Sequence, residues 1–191
     1  MNDILLHPGP STQLAPWVLG FALLLSGIAA VTDFRTGHIP NWLTVPPMVI
    51  GPLMNGLVDG AVAAFASLAS MLICGAVPLL MFFKQGMHGG DTKLFIAIAA
   101  LCGTMVGIES QLIAFVVASI YAMGRLAWDG KLLATLGRSL YLGLNPILPQ
   151  RWRKSANPEL MQKLRLGGAI FAGLLLSVFG RYHTALFPGL D

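Results

Sequence analysis

Residues 16–38 read PWVLGFALLLSGIAAVTDFRTGH, an apolar run without a charged residue until Asp33, closed by a short polar cluster. A soluble helix shows a polar face every three to four residues, and this run has none. Lys or Arg does not precede it, and no convincing cleavage site follows it, so it reads as a retained first membrane span over Pro16–Thr32 rather than a cleaved signal. The rest of the chain extends the pattern. Of the 191 residues, 55% are hydrophobic and 10% charged, with a mean hydropathy of +0.73. Soluble domains carry roughly 25% charged residues, so this apolar excess needs lipid as its solvent.

Working outward, the polar tail 1–14 precedes the first span. Pro40 suits a helix start, where its missing N–H is not needed. A second span is expected over Asn41–Leu57, kinked or partly irregular because Pro46, Pro47 and Pro52 lie inside it; membranes tolerate such prolines when neighbours re-satisfy the backbone. Asn55, Gly56, Asp59 and Gly60 form a turn. A third span runs over Ala61–Phe83, and Lys84–Asp91 is a glycine-rich loop. A short fourth span, Thr92–Val106, turns at Gly107 and Glu109 into a fifth, Ser110–Trp128. Residues 129–163 form the one long hydrophilic stretch, and a sixth span covers Leu166–Phe187. The expected fold is all-α, a polytopic membrane protein of about six transmembrane helices in a single domain, 1–191, with a loop at about 129–163.

Six spans place eleven of the twelve Lys and Arg residues on one side, leaving only Arg181 opposite. The positive-inside rule makes that side cytoplasmic and puts both termini outside. The net charge of +4 is thereby explained by orientation, and a nucleic-acid partner is not expected. Cys74 and Cys102 lie within apolar runs with no CxxC pair, which fits small core residues rather than a zinc module or a disulfide. Arg151-Trp152-Arg153-Lys154 reads as a solvated basic loop with an interfacial tryptophan, able to meet lipid phosphates.

Acidic residues beside hydrocarbon are functional suspects. Asp3, Asp59, Glu109, Asp129, Glu159 and Asp191 sit in apparent turns or tails. Asp33 closes the first span and Asp91 opens the fourth, both on the cytoplasmic side, so the two can face each other at one depth. Either alone also looks like a helix-end cap. Together they form a pair that cannot easily ionise twice, which leaves an acid and a base side by side. That pair is what metal-free peptide hydrolysis requires. No HExxH, Ser–His–Asp order or phosphate loop points to another chemistry; no cofactor and no metal are expected.

Two segments carry a family resemblance. Thr32-Asp33-Phe34-Arg35-Thr36-Gly37-His38-Ile39-Pro40-Asn41 resembles the first-aspartate segment of the type IV prepilin peptidases, particularly the short form of tight-adherence pilus systems. Gly86-Met87-His88-Gly89-Gly90-Asp91-Thr92-Lys93-Leu94 resembles their second-aspartate segment with its GxGD signature. Order, spacing and span count extend the resemblance over about residues 16–187. It implies an aspartyl endopeptidase of the bacterial inner membrane, acting at the cytoplasmic face. Asp33 and Asp91 would be catalytic, and the partners would be a pilin or pseudopilin precursor and membrane lipid. It also implies a form without the zinc-cysteine domain and methyltransferase activity of larger members. The first glycine of the strict signature falls on His88; Gly90 keeps its place in the signature, and Gly86 and Gly89 keep the loop permissive. His88 and Lys93 are placed to support Asp91, although a solvated loop histidine and a snorkelling cytoplasmic lysine are the plainer readings of the two residues. Arg35 reads as a topology signal, His38 as exposed, and Ile39-Pro40-Asn41 as the start of the second helix that fixes where Asp33 points. The rival functions are a non-catalytic component of a pilus or secretion assembly and a small transporter using the aspartates as an ion site.

Overall fold

A computed structural model of the protein describes residues 16–84, 86–128 and 166–186. Its helices are α1 (Pro16–Thr36), α2 (Asn41–Asp59), α3 (Ala61–Phe83), α4 (Gly89–Trp128) and α5 (Gly167–Leu186). The described residues contain no strand, and the fold is all-α as expected. The chain falls into two compact units, 1–117 with 165–191, and 118–164. Every residue of the candidate site belongs to the first. The expected loop at 129–163 lies outside the described residues.

The stretches Trp17–Thr36, Ala61–Phe83 and Gly89–Arg125 are long and apolar enough to cross a bilayer, and a shorter apolar helix covers Gly167–Gly180. Leu24, Val49, Phe65, Leu72, Leu80 and Phe179 are all exposed on the outer surface. Apolar exposure spread over so many helices exceeds what a soluble monomer shows to water, and it fits lipid.

α1 continues one turn beyond the boundary expected from its sequence. Asp33 lies inside the last turn rather than after it, because Gly37, at φ +67°, is the residue that ends the helix. Its N–H donates to the Asp33 carbonyl at 2.8 Å, the left-handed cap that glycine adopts without penalty. Pro40 follows in extended conformation as the N-cap of α2. α2 then runs as one helix across Pro46, Pro47 and Pro52, where the sequence suggested a kinked or partly irregular segment. In lipid, unwinding would free more backbone groups than the prolines themselves remove.

The largest difference concerns α4. Its break falls at Gly103 (φ 76°, ψ 179°), not at Gly107 and Glu109. Both of those residues are helical. A Cβ on Gly107 would stand 3.3 Å from Ala99 Cα and 2.8 Å from Cys74 Sγ. In a straight helix residues eight apart are separated by about 12 Å, so α4 doubles back at Gly103 into two arms, 89–102 and 104–128. Ser67 Oγ donates to the Ala100 carbonyl at 2.7 Å, and Ser70 pairs with Thr104 Oγ1 at 2.7 Å. These hydroxyls from α3 supply polar partners where the helical ladder is interrupted. Glu109 is not in a turn; its Oε2 accepts from Ser177 at 3.1 Å.

The first arm is the centre of the unit. Residues 94–102 are all buried, which is where a helix apolar on every side belongs. α2 meets it through Gly51, whose Cβ position lies 2.5 Å from the Ala100 carbonyl oxygen, and α3 through Gly75 against Ile96 at 3.0 Å. α1 packs on α5, and α2 on α3. Cys74 and Cys102 are buried and free. Small residues let these backbones approach, which is how helices associate where lipid removes the hydrophobic drive.

One consequence is measurable. A methyl on Gly173 would run into the Ser110 carbonyl and the Ala114 N–H at 2.8 Å, whereas Gly180 has open space. Gly173→Ala should destabilise the detergent-solubilised protein by about 1–3 kcal/mol. Gly180→Ala should be neutral or stabilising by up to about 1 kcal/mol. Thermal unfolding of the two variants checks this, and equal behaviour would contradict the packing.

Candidate active site

Asp33 is 6% exposed and Asp91 3%. Such burial is uncommon for aspartate without a structural or functional partner. Each is held by a helix end. Asp33 Oδ2 accepts a hydrogen bond from the Gly167 N–H at 3.0 Å, joining α1 to the first residue of α5. Asp91 stands three residues into its helix from His88, and its carboxyl accepts from the His88 N–H. That is half of a capping box, with Asp91 in the position usually taken by Glu or Gln. The His88 carbonyl accepts from Thr92 N–H at 3.2 Å and Thr92 Oγ1 at 3.1 Å. Asp91 Oδ1 is buried without a hydrogen-bond partner. The two carboxyl groups lie within electrostatic reach of one another.

The chain segments that carry them are packed directly. A Cβ on Gly90 would lie 3.0 Å from Ile39 Cβ and 3.2 Å from the Ile39 carbonyl oxygen, and Ile39 is buried. The Ile39-Pro40-Asn41 turn therefore leans on the first turn of α4. Lys93 Nζ donates to Asn41 Oδ1 at 2.8 Å. This lysine ties the starts of α4 and α2 together.

The loop glycines act differently from the expectation. Among the described residues positive φ occurs at Gly37, Gly60 and Gly103, not at Gly86, Gly89 or Gly90. Gly86 closes α3 by donating its N–H to the Met81 carbonyl at 2.8 Å. Gly89 packs on the Phe82 ring, with its Cβ position 3.3 Å away. What the loop needs from them is close approach rather than unusual dihedrals. His88 contributes its main chain, and its side chain is exposed, as are Arg35 and His38. Arg151-Trp152-Arg153-Lys154 lies outside the described residues. Gly167 was not singled out from the sequence; the paired glycines opening the last apolar run are its only local trace. No group of three or more His, Cys, Asp or Glu among the described residues is placed to hold a metal ion.

An all-α membrane protein with two buried carboxyl groups at helix ends, within electrostatic reach of one another, is the class that fold and site define. Residues 19–123, more than half of the chain, match the family model of the type IV leader peptidases, and the chain belongs to that family. It is 31% identical over 85 residues to "Prepilin peptidase EppA" of Methanocaldococcus jannaschii, covering 44% of this chain and 23% of that protein. It is 36% identical over 89 residues to "Prepilin leader peptidase/N-methyltransferase" of Escherichia coli strain K12, covering 44% of this chain and 38% of that protein. The chain thus spans well under half the length of these curated relatives. No solved structure matches it.

The unpartnered oxygen of Asp91 carries a stability consequence. A buried polar atom left unpaired costs about 1–3 kcal/mol. Asp91→Asn keeps a carbonyl for His88 and replaces the unpartnered Oδ1 with an amide N–H. It should unfold at a temperature about 2–4 °C higher for each kcal/mol recovered. A lower unfolding temperature in detergent would show that Asp91 is stabilising as it stands.

Proposed function

We propose that this protein is an aspartyl endopeptidase of the bacterial inner membrane that removes the leader peptide from pilin-like precursors at the cytoplasmic face. The observation that carries the reading is the pairing of Asp33 and Asp91: two buried carboxyl groups, brought from separate segments to adjoining helix ends, one with an oxygen unsatisfied. Membership of the leader peptidase family supports it. The prepilin substrates named for the two relatives are carried over here as part of the proposal.

The chemistry follows from sharing one proton between two carboxyls. The ionised partner removes a proton from a water molecule, whose oxygen bonds to the scissile carbonyl carbon. The protonated partner gives its proton to the carbonyl oxygen. The tetrahedral intermediate then expels the amine, which takes up the proton removed from water, while one hydroxyl returns its proton to the partner that had given it and the carbonyl re-forms as a carboxylic acid. His88 and Lys93 support the loop that carries Asp91, with Gly86, Gly89 and Gly90 allowing it to close on its neighbours.

The chain crosses the membrane six times in this reading, with the two arms of α4 as separate crossings, α2 and α5 as the further ones, and the basic loops in the cytoplasm. A precursor would then place its apolar helix in lipid and its basic leader in the cytoplasm, with the scissile bond beside the aspartates. Its partners are the precursor and the surrounding lipid.

Asp33→Asn and Asp91→Asn should each reduce cleavage of a co-expressed pilin precursor by on the order of a thousandfold or more, since asparagine supplies neither base nor acid at neutral pH. The double variant should be no worse than either single one, because the pair acts as a unit. Asp59→Asn, at the far end of α2, should keep near-normal activity. Mass spectrometry of the mature pilin N-terminus reads the result, and near-wild-type processing by either dyad variant would favour a non-catalytic assembly role. Orientation is tested separately. Thr36→Cys and His88→Cys should react with impermeant thiol reagents from the cytoplasm, and Asp59→Cys from outside. Labelling of position 88 only from outside would place the aspartates on the wrong face.

A further inference from the structure

The start of α5 has a local defect that α1 repairs. Ile170 N–H donates to the Leu166 carbonyl at 2.9 Å, which makes Leu166 the N-cap of α5 and Gly167 its first helical residue. A helix start leaves its first N–H groups without intrahelical acceptors, and a leucine side chain at the N-cap offers no oxygen to accept from them. Asp33 supplies the acceptor from 134 residues away, through Oδ2 at 3.0 Å from Gly167 N. The arrangement is reciprocal, since a buried carboxyl oxygen also needs a donor.

The residue type at 167 is constrained by the same contact. A Cβ there would stand 2.8 Å from Asp33 Cβ, 3.0 Å from Oδ2 and 3.2 Å from Cγ. The nearest of these atoms is fixed to the α1 backbone and cannot swing away, so a methyl must displace the helix start or the aspartate. One residue on, Gly168 has nothing within 4 Å. Both glycines lie in the first turn of α5, and only one of them is forced.

We infer that Gly167 is a positioning residue of the active site. Its N–H holds the Asp33 carboxyl in its working orientation, and its missing side chain is what lets α5 come close enough to do so. The beginning of the last helix is then a third component of a site otherwise built from the ends of α1 and α4. The inference rests on the catalytic reading of Asp33 given above.

The experiment compares Gly167→Ala and Gly168→Ala, purified in detergent and assayed on a pilin precursor, with kcat expressed per folded, monodisperse enzyme. Misplacing a reacting group by about 1 Å costs on the order of a hundredfold in rate. Gly167→Ala should therefore lower kcat by about 10- to 100-fold with KM within about twofold of wild type. Gly168→Ala should match wild type in both. A merely structural glycine would reduce the folded fraction and leave kcat per folded molecule unchanged, and that result overturns the inference, as does equal loss in both variants. If Gly167→Ala alone fails to fold, Asp33→Gly/Gly167→Ala decides. Recovery of folding when the obstructing Asp33 side chain is removed supports the contact, and continued misfolding overturns it. Failure of the wild-type protein to cleave, or full activity in Asp33→Asn, would instead count against the proposed function.

Discussion

Two carboxyl groups are held out of water within reach of one another, and the arrangement of helix ends around them follows from that demand. Burying a carboxylate without partners is far more costly than a single helix cap can offset. The protein meets the demand with main-chain groups: the Gly167 N–H for Asp33 and the His88 N–H for Asp91. Main-chain donors at helix ends are rigid, and they do not add a positive side chain that would hold both aspartates ionised. One oxygen of Asp91 remains unsatisfied. Residual cost of this kind is characteristic of places where function opposes stability.

The rest of the first unit keeps these ends in register. The first arm of α4 is buried on all sides over 94–102 and carries Asp91 at its head, so the loop before it is anchored by the best-packed helix in the unit. The reversal at Gly103 makes that arm short. Its far end is secured by Ser67 and Ser70 from α3, and Gly51 lets α2 lie against the Ala100 carbonyl. Near the aspartates, Gly90 against Ile39 and Lys93 to Asn41 tie α4 to the turn that follows α1. A rigid interior helix with its catalytic candidate at one end is a better platform than a mobile loop would be.

Much of this was legible in the sequence, for reasons that differ from residue to residue. Asp33 and Asp91 stood out because carboxylates bordering apolar runs have few innocent explanations, and α3 has the bounds its apolar run predicts. In the sequence α1 looks one turn shorter than it is because Asp33 resembles a terminator, whereas the actual stop is Gly37 and its left-handed backbone. Gly107 and Glu109 outweigh Gly103 in the sequence because an acid inside an apolar run reads as a turn; in the fold Ser177 reaches Glu109 from α5. Gly86 and Gly89 matter in the sequence for dihedral freedom and Gly90 as the retained signature glycine, whereas in the fold Gly89 and Gly90 matter through close packing. Gly167 had no decisive local signal at all, since its requirement arises from a contact with a residue 134 positions earlier.

The convergence of the two aspartates underlies both the family assignment's chemical meaning and the proposed reaction. It can be read without a substrate. In a protein whose native cysteines are replaced, Asp33→Cys and Asp91→Cys combined should be bridged in intact membranes by a short bifunctional thiol reagent, and mass spectrometry should recover the peptide pair joined between positions 33 and 91. Modification of both thiols by monofunctional reagent, with no bridge formed by the short bifunctional one, would mean that the carboxylates do not face each other.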